Sequence, residues 1–362
     1  MSSPAEVPIP PDLSRRYSGS SAGRAWLASL HGLICGRLER WGLEVDLEPG
    51  QLPWNGHGGV VVPVTREGVP AALKVAYPHD EARVERFALR LWDGHGAVRL
   101  LESDAGTCSM LLERLDAGRS LQEVPLETAV EVWGGLTRQL SLAPDHRPEW
   151  QEFDHVAARA EQWSDDLPAD WEQLGRPFPR WLLEAALEVC QTRGAVGRRA
   201  GTDVLVNTDF HYLNILARPT DQSLPPAAAG AGADTASVGG NGRSNGFAAI
   251  DPQPMVGEAE FAVAPLLWNR IRDLPRTDPR QGLLDRCRDF SAAAGLDAEV
   301  ARQWSLAREV ENALSYASRP HHGGDLARSL WVASTLAGRT LAWLPAAHDL
   351  PAPGEAVGLA VS

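Results

Sequence analysis

The sequence predicts a two-lobed α+β fold, with an N-terminal lobe of antiparallel sheet plus helix and a largely helical C-terminal lobe. Three observations predict it. The first 115 residues alternate short β-like runs with one internal amphipathic stretch; from about residue 120 apolar residues recur at helical spacing; and only two short apolar runs, "DVLVNTDFHYLNILA" and "GFAAIDPQP", interrupt that helical pattern. A chain of 362 residues is long enough for two packed lobes of ordinary size.

Residues 1–20 read as a flexible tail. The first helix is expected over 22–42, where Trp26, Leu27, Leu30, Leu33, Ile34, Leu38 and Trp41 fall at helical spacing and Gly42 is a stop signal. "GGVVVPVT" (58–65) and "AALKVA" (71–76) form a hairpin, because the Gly and Pro of "REGVP" mark a turn. "DEARVERFALRLWDG" is the next helix, with Val84, Phe87, Ala88 and Leu91 on one face and Gly94 ending it. Strands at 97–103 and 109–115 complete an N-terminal lobe spanning 21–115.

The C-terminal lobe, 116–345, carries helical periodicity at 126–142, 150–164, 180–194, 277–295, 298–317 and 325–343. Within it, strands 204–206 and 214–217 take 247–251 as their partner. The intervening Pro-, Gly-, Ala- and Ser-rich segment, 218–246, has almost nothing to bury and is expected to be a disordered loop at the hairpin tip. A second flexible tail is expected over 346–362.

Composition narrows the partners. No run of 18 apolar residues is present and the start lacks a signal-peptide pattern, so a soluble cytoplasmic protein without a membrane partner is expected. Cys35, Cys108, Cys190 and Cys287 lie far apart with no CxxC pair, which fits reduced packing thiols rather than disulfides or zinc. A net charge of −13 disfavours nucleic acid, whose phosphates need Lys and Arg surfaces, and permits a cationic small-molecule partner.

The chemistry concentrates in "NTDFHYLNIL", residues 207–216. Asp209 and Asn214 here, Asp251 after the next strand and Lys74 in a strand of the other lobe are polar groups at or within apolar runs, costly to bury unless phosphates or metal ions pair with them. Phosphoryl transfer needs an acid to accept the proton of the attacking hydroxyl, oxygen ligands for magnesium and a cation on the phosphates. Asp209 fills the first role, Asn214 with Asp251 the second and Lys74 the third. The D-x-x-x-x-N spacing matches a kinase catalytic loop.

The chain resembles the aminoglycoside and hydroxyurea phosphotransferase family, the group with streptomycin 6-kinases, within the protein-kinase-like superfamily. The resemblance is carried in order by "GRAWLASL", "RWGLEVD", "AALKV", "VERFALRLWDGHGAVRLLESD", "LLERLDAGRSL", "NTDFHYLNIL" and "AIDPQPMVGEAEFAVAPLLWNR", covering roughly residues 20–345. It implies a protein-kinase-like fold, ATP and Mg2+, and phosphoryl transfer from ATP to a hydroxyl of an aminoglycoside such as streptomycin, or to hydroxyurea. It further implies that Lys74 contacts the α and β phosphates, that Glu85 holds Lys74 by an ion pair, and that Asp251 binds metal. The carbonyl of Glu113 and the amide of Leu115 would bind the adenine edge, and "NGHGGVVVPV", with Gly58 and Gly59, would form the phosphate-covering loop.

Two positions depart from the family pattern: Asn207 replaces the histidine that normally opens the catalytic loop, and Ala262 replaces an aspartate. An amide can still hydrogen-bond, so the loop is expected to be retained with altered packing. For a cationic acceptor the candidate ligands are Glu258, Glu260, Trp268, Glu311, Asp165 and Asp166. Competing readings are plain: Lys74 as an edge-strand lysine, Glu85 as a solvent-facing acid, His211 as a packing imidazole, and His321 with His322 as loop residues rather than a metal pair. Two rival functions are a nucleotide-binding regulator on the same scaffold, motivated by Asn207 and Ala262, and a metal-dependent hydrolase using Asp209 and His211, which lacks a second histidine cluster.

Overall fold

The computed structural model describes residues 7–56, 58–194, 202–219 and 246–355. From residue 7 onward, the expected N-terminal tail is folded. Pro11 at the first helical turn starts α1 (Pro11–Tyr17), and Val7 and Leu13 are buried. Helix α2 (Ser21–Trp41) is capped by Ser20, whose side chain accepts from Gly23 N, and stops at Gly42 in the left-handed conformation.

A six-stranded sheet follows. It comprises β1 (Leu43–Val45), β2 (Trp54–Asn55), β3 (Gly59–Arg66) and β4 (Val69–Ala76), then, beyond helix α3 (Asp80–Trp92), β5 (Leu100–Asp104) and β6 (Ser109–Glu113). The order is β1-β3-β4-β6-β5, with β2 also on β3, and every pairing is antiparallel. Period-two alternation sorts the faces. Val60, Val62, Val64, Leu73 and Val75 join Trp26, Leu30, Ile34 and Leu38 of α2 in one apolar cluster, whereas Lys74, between Leu73 and Val75, points to the other face. Gly59 has no substitute here, because a Cβ would lie 2.4 Å from the Val75 carbonyl oxygen.

The chain leaves the first lobe through Arg114 and Leu115. Strand β7 (Asp116–Ser120) already belongs to the second, where it pairs with β9. There α4 (Leu126–Leu140), α5 (Val156–Gln173) and α6 (Arg180–Arg193) precede β8 (Val204–Asn207), β9 (Ile215–Ala217), β10 (Phe247–Ala249) and β11 (Pro254–Gly257). Helices α7 (Ala264–Trp268), α8 (Pro279–Ala294), α9 (Ala298–Ala317) and α10 (Gly323–Leu336) complete the lobe. Its core runs from Trp92 of α3 through Trp133 and Phe290 to Trp331 of α10.

Several sequence expectations need correction. Strand 204–206 does not pair with 247–251. β8 pairs with β11, a strand not expected at all, and only β9 pairs with β10. The helix expected at 150–164 begins instead at Val156, after a short 3-10 turn over Pro148–Glu152. The 218–246 insert lies outside the described residues except at its ends, where Arg218 N donates to Gly246 O at 2.6 Å. The second tail is ordered as far as residue 355, with Ala347 and Leu350 buried; residues 356–362 lie outside the described part. Among the described residues, no helix is long and apolar enough to cross a membrane.

Candidate active site

Lys74 sits at the middle of the sheet, opposite Val61 of β3 and Met110 of β6, and is 7 % exposed. An ammonium there is costly unless it is paired on several sides. Its Nζ donates to Glu85 Oε1 at 2.7 Å and Oε2 at 2.6 Å, and it also pairs with Asp251 Oδ1. Burial alone would lower the Lys74 pKa, but Asp251 and then Glu85 override it and raise it, so the lysine stays charged. Glu85, 3 % exposed on α3, is raised by burial against the pull of Lys74. The surface readings of these two residues fail on burial and pairing together.

The loop between β8 and β9 alternates its side chains. Phe210 and Tyr212 are buried behind it, Phe210 packing against Trp133, whose Nε1 donates to the Phe210 carbonyl at 3.1 Å. Asp209, His211 and Asn214 face the other way. Asn214 Nδ2 donates to both the carbonyl and Oδ2 of Asp209, each at 3.0 Å. Asn207 Oδ1 accepts from Asp209 N and from Gln253 N, each at 3.1 Å, so one amide braces the loops carrying Asp209 and Asp251. The expected retention of the loop with an amide in place of the histidine is met by these two bonds. His211 lies 3.7 Å from Asp209 Oδ1, and its pKa is lowered, by burial above all.

Asp251 follows β10 with φ 47°, a left-handed conformation that aspartate tolerates better than most residues and that turns its carboxylate toward Lys74. Its side chain is 40 % exposed. Withdrawal from bulk water would raise its pKa, but the Lys74 ammonium prevails and lowers it.

These groups line one cleft of about 1110 Å³. Gly58, Gly59, Val61, Lys74, Ala76 and Glu85 supply its N-terminal wall, and Asp209, His211, Asn214 and Asp251 its C-terminal wall. The glycine loop descends onto the acid, since a Cβ on Gly56 would meet Asp251 Oδ2 at 3.4 Å.

Of the acceptor candidates, the structure brings only Trp268 into the cleft. Glu258 is held by Arg193 at 3.0 Å and by Trp304 Nε1 at 2.6 Å. Glu260 accepts from Asp297 N at the start of α9. Asp165 and Asp166 are exposed on α5, and Glu311 is half-buried outside the cleft lining. Glu113 and Leu115 are likewise not among the lining residues; the Glu113 carboxylate is engaged by Arg99 N and Arg218.

Other lining residues went unread. Arg308, Glu309, Asn312 and Tyr316 of α9 reach the cleft, and Arg308, Asn312 and Tyr316 share one face at i, i+4, i+8. Tyr17 lines it from α1, inside the supposed tail, where it stacks on Tyr77. His322, read as a loop residue, lines it too and pairs with Asp325 at 2.9 Å.

The donor set fits a hard divalent cation such as magnesium. Asn214 spends its nitrogen on Asp209 and keeps Oδ1, Asp251 keeps Oδ2, and both are oxygens. Among the described residues no group of three or more His, Cys, Asp or Glu could hold a metal alone, so the remaining ligands would be phosphate oxygens.

With this geometry in place, similarity to known proteins becomes informative. A profile described as aminoglycoside/hydroxyurea antibiotic resistance kinase matches residues 40–171 and 236–319. Streptomycin 6-kinase of Streptomyces griseus is 32% identical over 322 residues, covering 87% of this chain and 92% of that protein. Hydroxyurea phosphotransferase of Kitasatospora aureofaciens is 34% identical over 318 residues, covering 86% and 80%. Among solved structures, a ternary complex of a thermostable aminoglycoside phosphotransferase APH(4)-Ia with ADP and hygromycin B aligns with a TM-score of 0.51. It shares 16% identity and covers 84% of this chain and 96% of its own. Plasmodium vivax ethanolamine kinase aligns with a TM-score of 0.51 at 11% identity, covering 90% and 92%. Those two likenesses establish the protein-kinase-like fold. The chain therefore belongs to the aminoglycoside/hydroxyurea antibiotic resistance kinase family, and it is a phosphotransferase with a hydroxyl acceptor.

Proposed function

We propose that this protein transfers the γ-phosphoryl group of ATP to a hydroxyl of a cationic small molecule. An aminoglycoside-type antibiotic such as streptomycin is the lead acceptor and a hydroxyurea-like compound the second. The observation that carries this reading is the single cleft in which Lys74, tied to Glu85 and Asp251, faces Asp209 and Asn214.

Each residue then has one task. Asp209, its carboxylate oriented by Asn214, accepts the proton of the attacking hydroxyl. The hydroxyl oxygen forms its bond to the γ-phosphorus as the bond to the bridging β,γ oxygen breaks, and ADP leaves. Lys74 secures the α and β phosphates, and Glu85 keeps that ammonium in place. Asn214 and Asp251 would hold magnesium, which supplies neutralisation of phosphate charge. The Gly58–Gly59 backbone covers the phosphates. Positioning and charge neutralisation account for most of the rate.

Against the regulator alternative, the Asn207 carbonyl oxygen accepts two loop-bracing hydrogen bonds, although its Nδ2 is buried without a partner among the described residues. Ala262 lines only a crevice of about 10 Å³ beside Asn207 and Phe210. The test is phosphate transfer from γ-labelled ATP across a panel of hydroxyl acceptors that includes streptomycin and hydroxyurea. Transfer to at least one is expected; nucleotide binding with transfer to none would support the regulator.

A further inference from the structure

We propose that the segment Pro351–Gly354 is a specificity-determining wall of the acceptor site, latched in place by Asp325. The inference rests on the phosphotransfer reading above and adds to it a part of the chain that the fold alone does not require.

Three contacts fix the segment on α10, and the buried residue before it ties it to the core. Gly354 N donates to Asp325 Oδ1 at 2.9 Å. Arg328, whose guanidinium lies over the Trp268 ring, donates to the Pro351 carbonyl. Leu350, immediately before the segment, is 1 % exposed and anchors it in the core. Gly324 has no Cβ where one would lie 2.9 Å from Pro351 Cβ and 3.2 Å from the Glu355 carbonyl oxygen, so the first turn of α10 is shaped to receive the segment.

The segment is placed where an acceptor would touch it. Pro353 and Gly354 line the same cleft as Asp209, as do Trp268, Tyr316 and His322. Those three rings form a ladder, Trp268 on Tyr316 at 6.1 Å and Tyr316 on His322 at 5.7 Å, with both interplanar angles 22°. Asp325, 2 % exposed, spends one oxygen on Gly354 and the other on His322. One buried carboxylate thus sets both the last ring of the ladder and the wall. Glu309, also in the lining and 1 % exposed, accepts from Asn312 at 3.3 Å and takes a further hydrogen bond from Ser329, so its charge acts on the cleft through space rather than by contact. An acceptor would lay its flatter surfaces on the ring ladder and its outer edge against Pro353 and Gly354.

Two variants of the full protein test this: a chain ending at Leu350, and Gly324→Val, which pushes Pro351 away without shortening the chain. With streptomycin as acceptor, each is expected to raise KM for the acceptor about tenfold, the equivalent of roughly 1.4 kcal/mol, while KM for ATP stays within about twofold. A merely structural role would lower kcat or both affinities together. Turnover by the unaltered protein with unchanged acceptor KM in both variants would overturn the wall, and equal movement of both KM values would do the same. No transfer by the unaltered protein to any acceptor of the panel would sink the phosphotransfer reading first and this inference with it.

Discussion

Lys74 shows how much a single residue commits the chain to. A buried ammonium between two carboxylates is stable only while all three groups are present, because removing one partner leaves an uncompensated charge in a low-dielectric place. Glu85→Ala is therefore expected to lower folding stability by about 3–5 kcal/mol, read by urea denaturation. Glu85→Gln, which keeps the shape, should raise KM for ATP about tenfold and leave acceptor KM nearly unchanged. Glu309 gives a pH prediction. Burial pushes its carboxyl up to about 7, opposed by Ser329 and Arg308 and assisted by Glu311. A cationic acceptor favours the ionised form, so kcat/KM for the acceptor should rise as pH goes from about 6 to about 8, and Glu309→Gln should flatten the rise. Glu311 helps hold the Glu309 carboxyl up, so Glu311→Gln should move the rise to lower pH without flattening it. His211 has its pKa lowered, by burial above all. The sign for folding is opposite: an acid raised from 4.5 to about 7 costs stability as pH climbs through that interval. Lys74, Asp209, Asn214 and Asp251 were legible in the sequence as polar groups at or within apolar runs, whereas Glu85 was reached only through the family resemblance. Glu258 and Glu260 were misjudged because an acidic residue type does not disclose its partner, here Arg193 and a helix N-terminus.

At the level of elements, close approach decides what can change. Gly134 of α4 lies against α8, where a Cβ would come within 2.5 Å of the Ala293 carbonyl carbon and oxygen. Gly134→Ala must separate the two helices and is expected to cost about 1–3 kcal/mol, measured by thermal or urea unfolding, with no selective effect on either substrate. The β9–β10 hairpin behaves differently. Its ends are already joined by Arg218 N to Gly246 O, so replacing residues 219–245 with a short Gly-Ser turn should preserve both pairing and turnover to within about twofold; a large loss of kcat would show that the replaced residues contribute to the site. Helices α2, α3, α4, α8 and α9 were readable within a few residues because each carries a long apolar stripe ended by a cap or glycine. The β8–β11 pairing was not readable, because strands of four residues leave register to long-range contacts rather than to local pattern. Helix α1 was missed because seven residues with only one fully buried side chain look like a tail until Tyr17 finds Tyr77 and Trp26.

Across the whole molecule, the sheet lobe brings Lys74 with Glu85 to the cleft and the helical lobe brings Asp209, Asn214 and Asp251, so the proposed catalytic set is complete only where the lobes meet. Tyr17 near one end of the described chain and Pro353 with Gly354 near the other line the same cleft. The two-lobed architecture was legible because strands precede helices in the chain. The part played by these end segments was not, because short segments gain their order only from the surface they pack on. The central claim is that Asp209 accepts the proton in a transfer from ATP that this cleft assembles. It is tested most directly by following ADP and phosphorylated streptomycin by phosphorus NMR for the unaltered protein and for Asp209→Ala at saturating magnesium and ATP. The account predicts stoichiometric product with the unaltered protein and a fall in kcat of about 10²- to 10⁴-fold in the variant with ATP affinity retained; equal turnover by the two proteins would contradict it.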